Sequence, residues 1–326
     1  MLFRWRKSRD KADRKAKAGR RRKADVPELP LEPDEPEQAE EPVPFDVMAS
    51  VQTDVGCHRE VNEDAIRFVK PSESERGEAK GMLALVADGM GGHAAGEVAS
   101  RMAVDIISRL YYESDKQPTE ALDEAFHAAN KAINEAVHND AALEGMGTTC
   151  TAVVLHKGRA ISAHVGDSRL YLIRNGSIYI MSEDHSLVRE MVKNGVITQE
   201  EARRHEDKNV ILRALGIQPE VEVAMWSQPF RVQIGDQLLL CSDGLSDLVE
   251  DDEIKQAVLA ADPHGAGQHL IALAKERGGY DNISVGILRL QEIGDLEEAA
   301  AERETRVSAA IGVDGASGTD VARDEL

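Results

Sequence analysis

Cysteine is scarce. The 326 residues hold three, Cys57, Cys150 and Cys241, far apart and with no CxxC pair. That excludes a disulfide framework, a dithiol redox centre and a thiolate zinc site, and it predicts reduced thiols in a cytoplasmic protein. Long apolar runs are lacking too. No stretch approaches the roughly 18 consecutive apolar residues of a membrane-spanning helix, and the N-terminus lacks the apolar segment and cleavage site of a secretory signal. The final Arg323 to Leu326 has the form of a lumenal retrieval signal, which acts only on exported proteins, and is taken as chance. Positive charge is also short: 39 Lys and Arg stand against 59 Asp and Glu, for a net charge of −20. Binding a polyphosphate requires basic residues that release counterions, so nucleic acid is disfavoured as a partner. An acidic surplus can serve cations instead.

What the chain does have is enough apolar residues, 42% of the total, for a sizeable core. Its ends are different. Residues 1–23 carry twelve Lys or Arg against two Asp, and residues 25–44 are acidic and rich in proline with no base. The span 1–44 is therefore expected to be a disordered tail, basic and then acidic. A solvated tail is the simpler expectation, and Leu2, Phe3 and Trp5 among the bases offer a weak anchor for an anionic membrane surface. Residues 294–326, with nine acids and three bases, form a second acidic tail. A folded domain is left at 45–293, and most of the acid excess lies within it.

Apolar and β-branched runs recur through that domain: Val47 to Val51, Ala65 to Val69, Met82 to Ala87, Thr149 to Leu155, Ile161 to Val165, Leu170 to Ile173, Ile178 to Met181, Leu238 to Cys241 and Ile283 to Leu288. They predict strands. Asn175-Gly176 predicts a tight antiparallel hairpin between two of them. Helices are predicted at Ala95 to Leu110, with a stripe through Val98, Ala99, Met102 and Ile106, at Thr119 to Val137, and near Gln268 to Lys275. A short helix should open at Thr198, whose Glu201 completes a capping box. Strand runs flanked by helix pairs indicate an α+β layered sandwich rather than a doubly wound sheet.

Acids repeatedly end these strands: Asp88 after Leu83 to Ala87, Asp167 after Val165-Gly166, Asp243 after Leu238 to Ser242, Asp281 before Ile283, and Glu63-Asp64 before Ala65. A single Asp at a strand end is ordinarily a turn residue. As a set, such acids could converge at one sheet edge, where repulsion and desolvation are costly unless cations neutralise them. Oxygen ligands select Mg²⁺ or Mn²⁺. Two such ions about 4 Å apart can activate water for in-line displacement at phosphorus, chemistry that suits phosphatases and nucleases alike. The missing basic track weakens the nuclease version, whereas a phosphomonoester can be gripped by one Arg.

Arg59-Glu-Val-Asn62-Glu63-Asp64, Ala87-Asp88-Gly89-Met-Gly-Gly92, Gly147-Thr148-Thr149, Gly166-Asp167-Ser168-Arg169, Cys241-Ser-Asp243-Gly244-Leu-Ser-Asp247 and Asp281-Asn282 together resemble the ordered motif series of the protein phosphatase 2C family, in its bacterial form. The match spans nearly all of 45–290. The resemblance implies an αββα four-layer sandwich, with two mainly antiparallel sheets between helices. It also implies metal-dependent hydrolysis of phosphoserine and phosphothreonine in proteins. On this likeness Asp88 bridges two divalent cations, Mn²⁺ or Mg²⁺, the Gly89 carbonyl binds one, and Asp243 with Asp281 binds the other. Glu63 and Asp64 hold metal-bound waters. Asp167, Asp243 and Asp247 surround a third, weaker cation site, and Arg59 receives the substrate phosphate.

A general acid should help the Ser or Thr alkoxide leave, and His93 is the candidate. Relatives that place His directly after Asp-Gly differ from this chain, which has Met90 there. His185 also matches a family motif and is expected to shape a loop. The polar stretch 186–222 falls where bacterial relatives carry a flap, expected to gate entry and select phosphoproteins. Family analogy adds a partner Ser/Thr kinase whose targets are the substrates, and a monomer is expected, cytoplasmic with at most peripheral membrane contact. The competing readings are a catalytically silent phosphoprotein-binding module and a hydrolase of small phosphoesters. Loss of a metal ligand would mark the former, and every expected acid is present.

Overall fold

The protein is described by a computed structural model covering residues 45–71, 79–91 and 95–293. Both expected tails and His93 lie outside the described residues. Two antiparallel sheets form the centre. One takes β1 (Phe45–Asp54), β12 (Ile283–Glu292), β11 (Gln237–Cys241), β7 (Arg169–Arg174) and β8 (Ser177–Ile180), in that spatial order. The other runs β10 (Phe230–Arg231), β6 (Arg159–Val165), β5 (Cys150–His156), β3 (Met82–Met90) and β2 (Asp64–Val69), with β4 (Gly147–Thr148) on β3 and β9 (Ala224–Met225) on β6. Helices α1 (Ala95–Glu113) and α2 (Pro118–Asn139) cover the second sheet; short helices α3 (Leu187–Lys193) and α4 (Gln199–Arg203) follow β8 and α5 (Asp243–Ser246) follows β11, while α6 (Asp251–Ala260) and α7 (Pro263–Glu276) cover the first.

Alternation along each strand divides its side chains between layers. In β3, Leu83, Leu85 and Ala87 pack under the first helix pair, while Ala84 and Val86 point between the sheets. In β11, Leu239 and Cys241 face α6 and α7, and Leu238 and Leu240 face the other sheet. The result is the expected α+β, αββα order, with one apolar core between the sheets and one under each helix pair. The predicted hairpin joins β7 and β8: Arg174 pairs with Ser177, and Asn175 and Gly176 adopt φ of 51° and 73°.

The α1 face differs from the expected stripe. Its buried residues are mostly small, Ala95, Gly96, Ala99, Ala103 and Ser100, with Val104, Ile107 and Tyr111 further on. Val98 is exposed, and Met102, Ile106 and Leu110 pack at the margin. The reason is close approach: a Cβ on Gly89 of β3 would stand 2.1 Å from the Gly96 carbonyl oxygen. Large side chains on that face would hold the helix off the strand. Helix α6 was not expected from the sequence. It is capped by Glu250, which forms a capping box with Glu253, and it buries Ile254, Ala257 and Val258.

The inter-sheet core gives a stability prediction. Leu240 is buried between the sheets. Leu240→Ala should destabilise the domain by about 2–5 kcal/mol through lost transfer energy and a residual cavity, measured by urea unfolding. A loss below about 1 kcal/mol would contradict this packing.

Candidate functional site

The strand ends meet at one edge of the sandwich. A pocket of about 430 Å³ opens there, lined by Arg59, Glu63, Asp88, Gly89, Asp243 and Asp281, with Met90, Val61, Asn209 and Ile211 among the rest of its wall. Another depression, between Thr198 and Glu206, contains none of the strand-end acids. Asp64 lies directly opposite Asp88 in the β2–β3 register. Asp243 opens α5 (Asp243–Ser246) straight after β11, and Asp281 precedes β12, the neighbour of β11. A Cβ on Gly244 would stand 2.0 Å from the Asn282 carbonyl oxygen, so glycine here lets α5 lie against the segment carrying Asp281.

Hydrogen bonds fix each acid from behind. The Asp88 N–H donates to Thr149 Oγ1 at 3.0 Å, and its carbonyl accepts from Thr149 N at 2.9 Å and Thr148 Oγ1 at 2.8 Å. Ser242 Oγ donates to Asp64 Oδ2 at 2.8 Å and accepts from the Ser284 N–H. Asn282, buried, accepts from the Glu63 N–H at 2.8 Å and donates to the carbonyls of Val55 and Val61, both at 3.0 Å. It thereby staples the loop that carries Arg59 and Glu63 to the end of β12. Its sequence signal, an Asn beside a candidate ligand, left a turn-forming role equally open.

Arg59 donates to Asp281 Oδ2 at 2.8 Å and to Glu63 Oε2 at 3.4 Å, and its side chain remains 45% exposed at the pocket rim. His185 lies on the flank, where its Nδ1 accepts from the Gly166 N–H at 3.1 Å and its own N–H donates to the Gly166 carbonyl at 2.7 Å. These bonds hold the turn before Asp167, the loop-shaping role expected of His185. Asp167 and Asp247 lie outside the pocket lining. The pocket-lining Val61, Asn209 and Ile211 were not singled out from the sequence, because polar or apolar character at a loop position does not show which cleft it faces.

The charge density is high. Burial, and then the negative charges of Asp64, Asp243, Asp167 and Asp281, push the Asp88 carboxyl well above the usual range. Burial and the charges of Asp167, Asp247, Asp281 and Asp64 do the same to Asp243. Burial takes Asp64 up to about 6, against hydrogen bonds that oppose the shift. Asp167, buried beside Asp184 and Asp247, rises to about 7. Among the described residues, no hydrogen-bond donor reaches one buried carboxylate oxygen of each of Asp64 and Asp167. Such oxygens fit a cation as partner. Among the described residues no three His, Cys, Asp or Glu side chains close round a single point.

Comparison with known proteins follows this geometry. The protein phosphatase 2C family model matches residues 58–272, and the chain belongs to that family. It is 38% identical to the serine/threonine phosphatase stp of Listeria welshimeri over 243 residues, 73% of this chain and 93% of that protein. The crystal structure of the Mycobacterium tuberculosis serine/threonine phosphatase PstP/Ppp superposes with a TM-score of 0.65 at 38% identity, covering 76% of this chain and 99% of that one. The catalytic domain of PstP in complex with two manganese ions gives a TM-score of 0.65 at 36% identity, over 76% of this chain and all of that one.

The acid cluster makes stability depend on pH and metal. An acid whose folded pKa is raised binds its proton more readily when folded, so its contribution is present at low pH and is lost as pH rises through the folded value. Asp64, Asp88, Asp167 and Asp243 all act in this direction. Buried His164, lowered to about 4, opposes them only below its ordinary 6.5. Chelator-treated protein should therefore become more stable from pH 8 down to pH 6.5, by about 1 kcal/mol or more. At pH 8, a divalent cation at 100 times its Kd should restore about 2.7 kcal/mol. Thermal melts check both; a chelated protein no more stable at pH 6.5 than at pH 8 would contradict the cluster.

Proposed function

We infer that this chain is a metal-dependent protein phosphatase that hydrolyses phosphoserine and phosphothreonine. The observation that carries the reading is the convergence of Asp88, Asp243 and Asp281 from separate strand ends on one pocket, with Asp64 paired opposite Asp88 and Arg59 in the pocket wall. So much buried negative charge is costly without cations, and a phosphomonoester brings more. Asp88 and the Gly89 carbonyl, with Asp243 and Asp281, would hold two divalent cations, Mn²⁺ or Mg²⁺. When bound, these supply the Lewis acidity that makes water a nucleophile near neutral pH and offset charge on the phosphoryl oxygens. Glu63 and Asp64, buried beside these ligands, would hold and orient the water that such ions bring. Asp167 and Asp247, with Asp243, would hold a further cation.

Arg59 is anchored by Asp281 and Glu63 and lines the pocket, and its remaining N–H groups are the donors for two phosphoryl oxygens in parallel. Anchoring lowers the entropic cost of holding the guanidinium in place. His93 is assigned as proton donor to the leaving alkoxide. The flap, residues 186–222, contributes Asn209 and Ile211 to the pocket wall, a position from which it admits some phosphoproteins and excludes others. The catalytic domain is assigned to 45–293, with charged tails at 1–44 and 294–326. Substrates are targets of a partner Ser/Thr kinase. The protein works as a cytoplasmic monomer, its basic N-terminus touching anionic membrane surfaces weakly. Among the described residues no helix is long and apolar enough to cross a membrane.

Phosphate release from a phosphothreonine peptide with Mn²⁺, with Mg²⁺ and with chelator tests the reading. Turnover should require metal and vanish in Asp243→Asn. In Arg59→Ala, kcat/KM should fall about 10- to 100-fold, the worth of charge-assisted hydrogen bonds. Turnover that survives chelation, or wild type that is inert at saturating metal, would reject it.

A further inference from the structure

Two loops beside the pocket run side by side and pair residue for residue. The Cys57 N–H donates to the Gly279 carbonyl at 2.8 Å, the His58 ring stacks on the Tyr280 ring with centroids 5.1 Å apart and planes 26° apart, and Arg59 donates to Asp281 at 2.8 Å. Glycine permits this approach. A Cβ on Gly56 would stand 2.2 Å from the Asp281 carbonyl oxygen. Gly278, with φ of 124°, leaves room for the Tyr280 ring, whose Cε2 would lie 2.4 Å from a Cβ there. The tyrosine ring is thereby held against a glycine and an imidazole.

The stack adjoins the chemistry. Arg59 and Asp281 both line the pocket, and His58 and Tyr280 are their chain neighbours, about 3.8 Å away from Cα to Cα. Tyr280 nevertheless stays 63% exposed, and His58 is exposed as well. The cations nearby are committed elsewhere: Arg59 to Asp281 and Glu63, Lys275 to Asp54, and Arg277 to Glu253. Glu60, next to Arg59 in the pocket wall, is exposed, and among the described residues no cation is paired with it. The charge left free beside the two rings is therefore negative.

We propose that Tyr280, seated on His58, is a specificity-determining residue that receives a basic side chain of the substrate within two residues of the phosphorylated Ser or Thr. The inference rests on the protein phosphatase reading of the pocket. A phosphoryl group bound at Arg59 brings its flanking residues with it, and an extended peptide advances only about 3.3 Å per residue, so their side chains reach the neighbours of Arg59 and Asp281. An Arg or Lys there lays its cation on the tyrosine ring face, whose quadrupole attracts it, while Glu60 supplies opposite charge from the same wall. An aromatic or aliphatic residue gains ring contact but nothing from Glu60. An acidic residue is repelled by both. Neither ring takes part in phosphoryl transfer; the pair acts on which phosphoprotein is turned over.

The test measures kcat/KM of the full chain with Mn²⁺ on phosphothreonine peptides otherwise made of Ala and Gly, carrying Arg or Phe at one of the two positions on either side of the phosphothreonine. Wild type should prefer Arg over Ala by about two- to fivefold at one or more of these positions, the worth of a cation on an exposed ring, and mainly through KM. It should prefer Arg over Phe as well. The Arg preference, a ratio between peptides, should vanish in Tyr280→Ala, persist in Tyr280→Phe and Tyr280→Trp, and weaken in Glu60→Gln. A disturbed Arg59 would slow every peptide alike and leave the ratio intact, so the ratio separates recognition from a merely structural role. No Arg preference in wild type, an equal preference for Phe, or an Arg preference that survives Tyr280→Ala would overturn the proposal. Wild type that hydrolyses none of the peptides at saturating Mn²⁺ would instead remove the phosphatase reading beneath it, and the proposal with it.

Discussion

Mutual repulsion among the strand-end carboxylates is the constraint around which the rest of this protein is arranged. Asp64 and Asp88 face each other across a single antiparallel pair, an arrangement that ordinarily weakens a sheet. Asp243 and Asp281 add further charge from the adjacent sheet. The scaffold spends hydrogen bonds on holding these groups together rather than on relaxing them. Ser242 accepts from the Ser284 N–H of one sheet and donates to Asp64 of the other, and Thr148 and Thr149 clamp the Asp88 backbone. Rigid support of this sort keeps the carboxylates from rotating out to solvent, so that cations and a phosphoryl group find them already oriented.

The helical layers follow from the same requirement. Bringing α1 close to the end of β3 sets the Gly96 carbonyl near Gly89, and that approach is open only to small residues on the buried face of the helix. Gly244 does the equivalent on the other sheet, where α5 lies against Asn282. The large apolar residues Ile107, Tyr111, Phe126 and Ile133 fill the core between that helix pair and the sheet.

Much of this was legible because it is local. Strands announced themselves by apolar runs and period two, the hairpin by Asn175-Gly176, and the candidate ligands by acids that repeatedly ended strands. The α1 face was misplaced because counting large apolar residues favours Val98, Met102 and Ile106, whereas the packing surface is set by how near β3 comes. Helix α6 was missed because its first turn, Asp251-Asp252-Glu253, looks like solvated charge; its cap and the burial of Ile254, Ala257 and Val258 emerge only against the sheet. The staple made by Asn282 and the seat of Lys208 on Asp247 join positions far apart in the chain, and no periodicity encodes such pairs.

The flap completes the site from outside the sandwich. It supplies Asn209 and Ile211 to the pocket wall and Lys208 to the acidic flank, while its base is bonded to Gly166. All of this depends on the carboxylates being a cation site, and crystals soaked in Mn²⁺ test that most directly. Anomalous difference density at the manganese edge should show two peaks within ligand distance of Asp88, one of them also reached by Asp243 and Asp281. No peak at that edge of the sandwich, or peaks held elsewhere on the surface alone, would contradict the account.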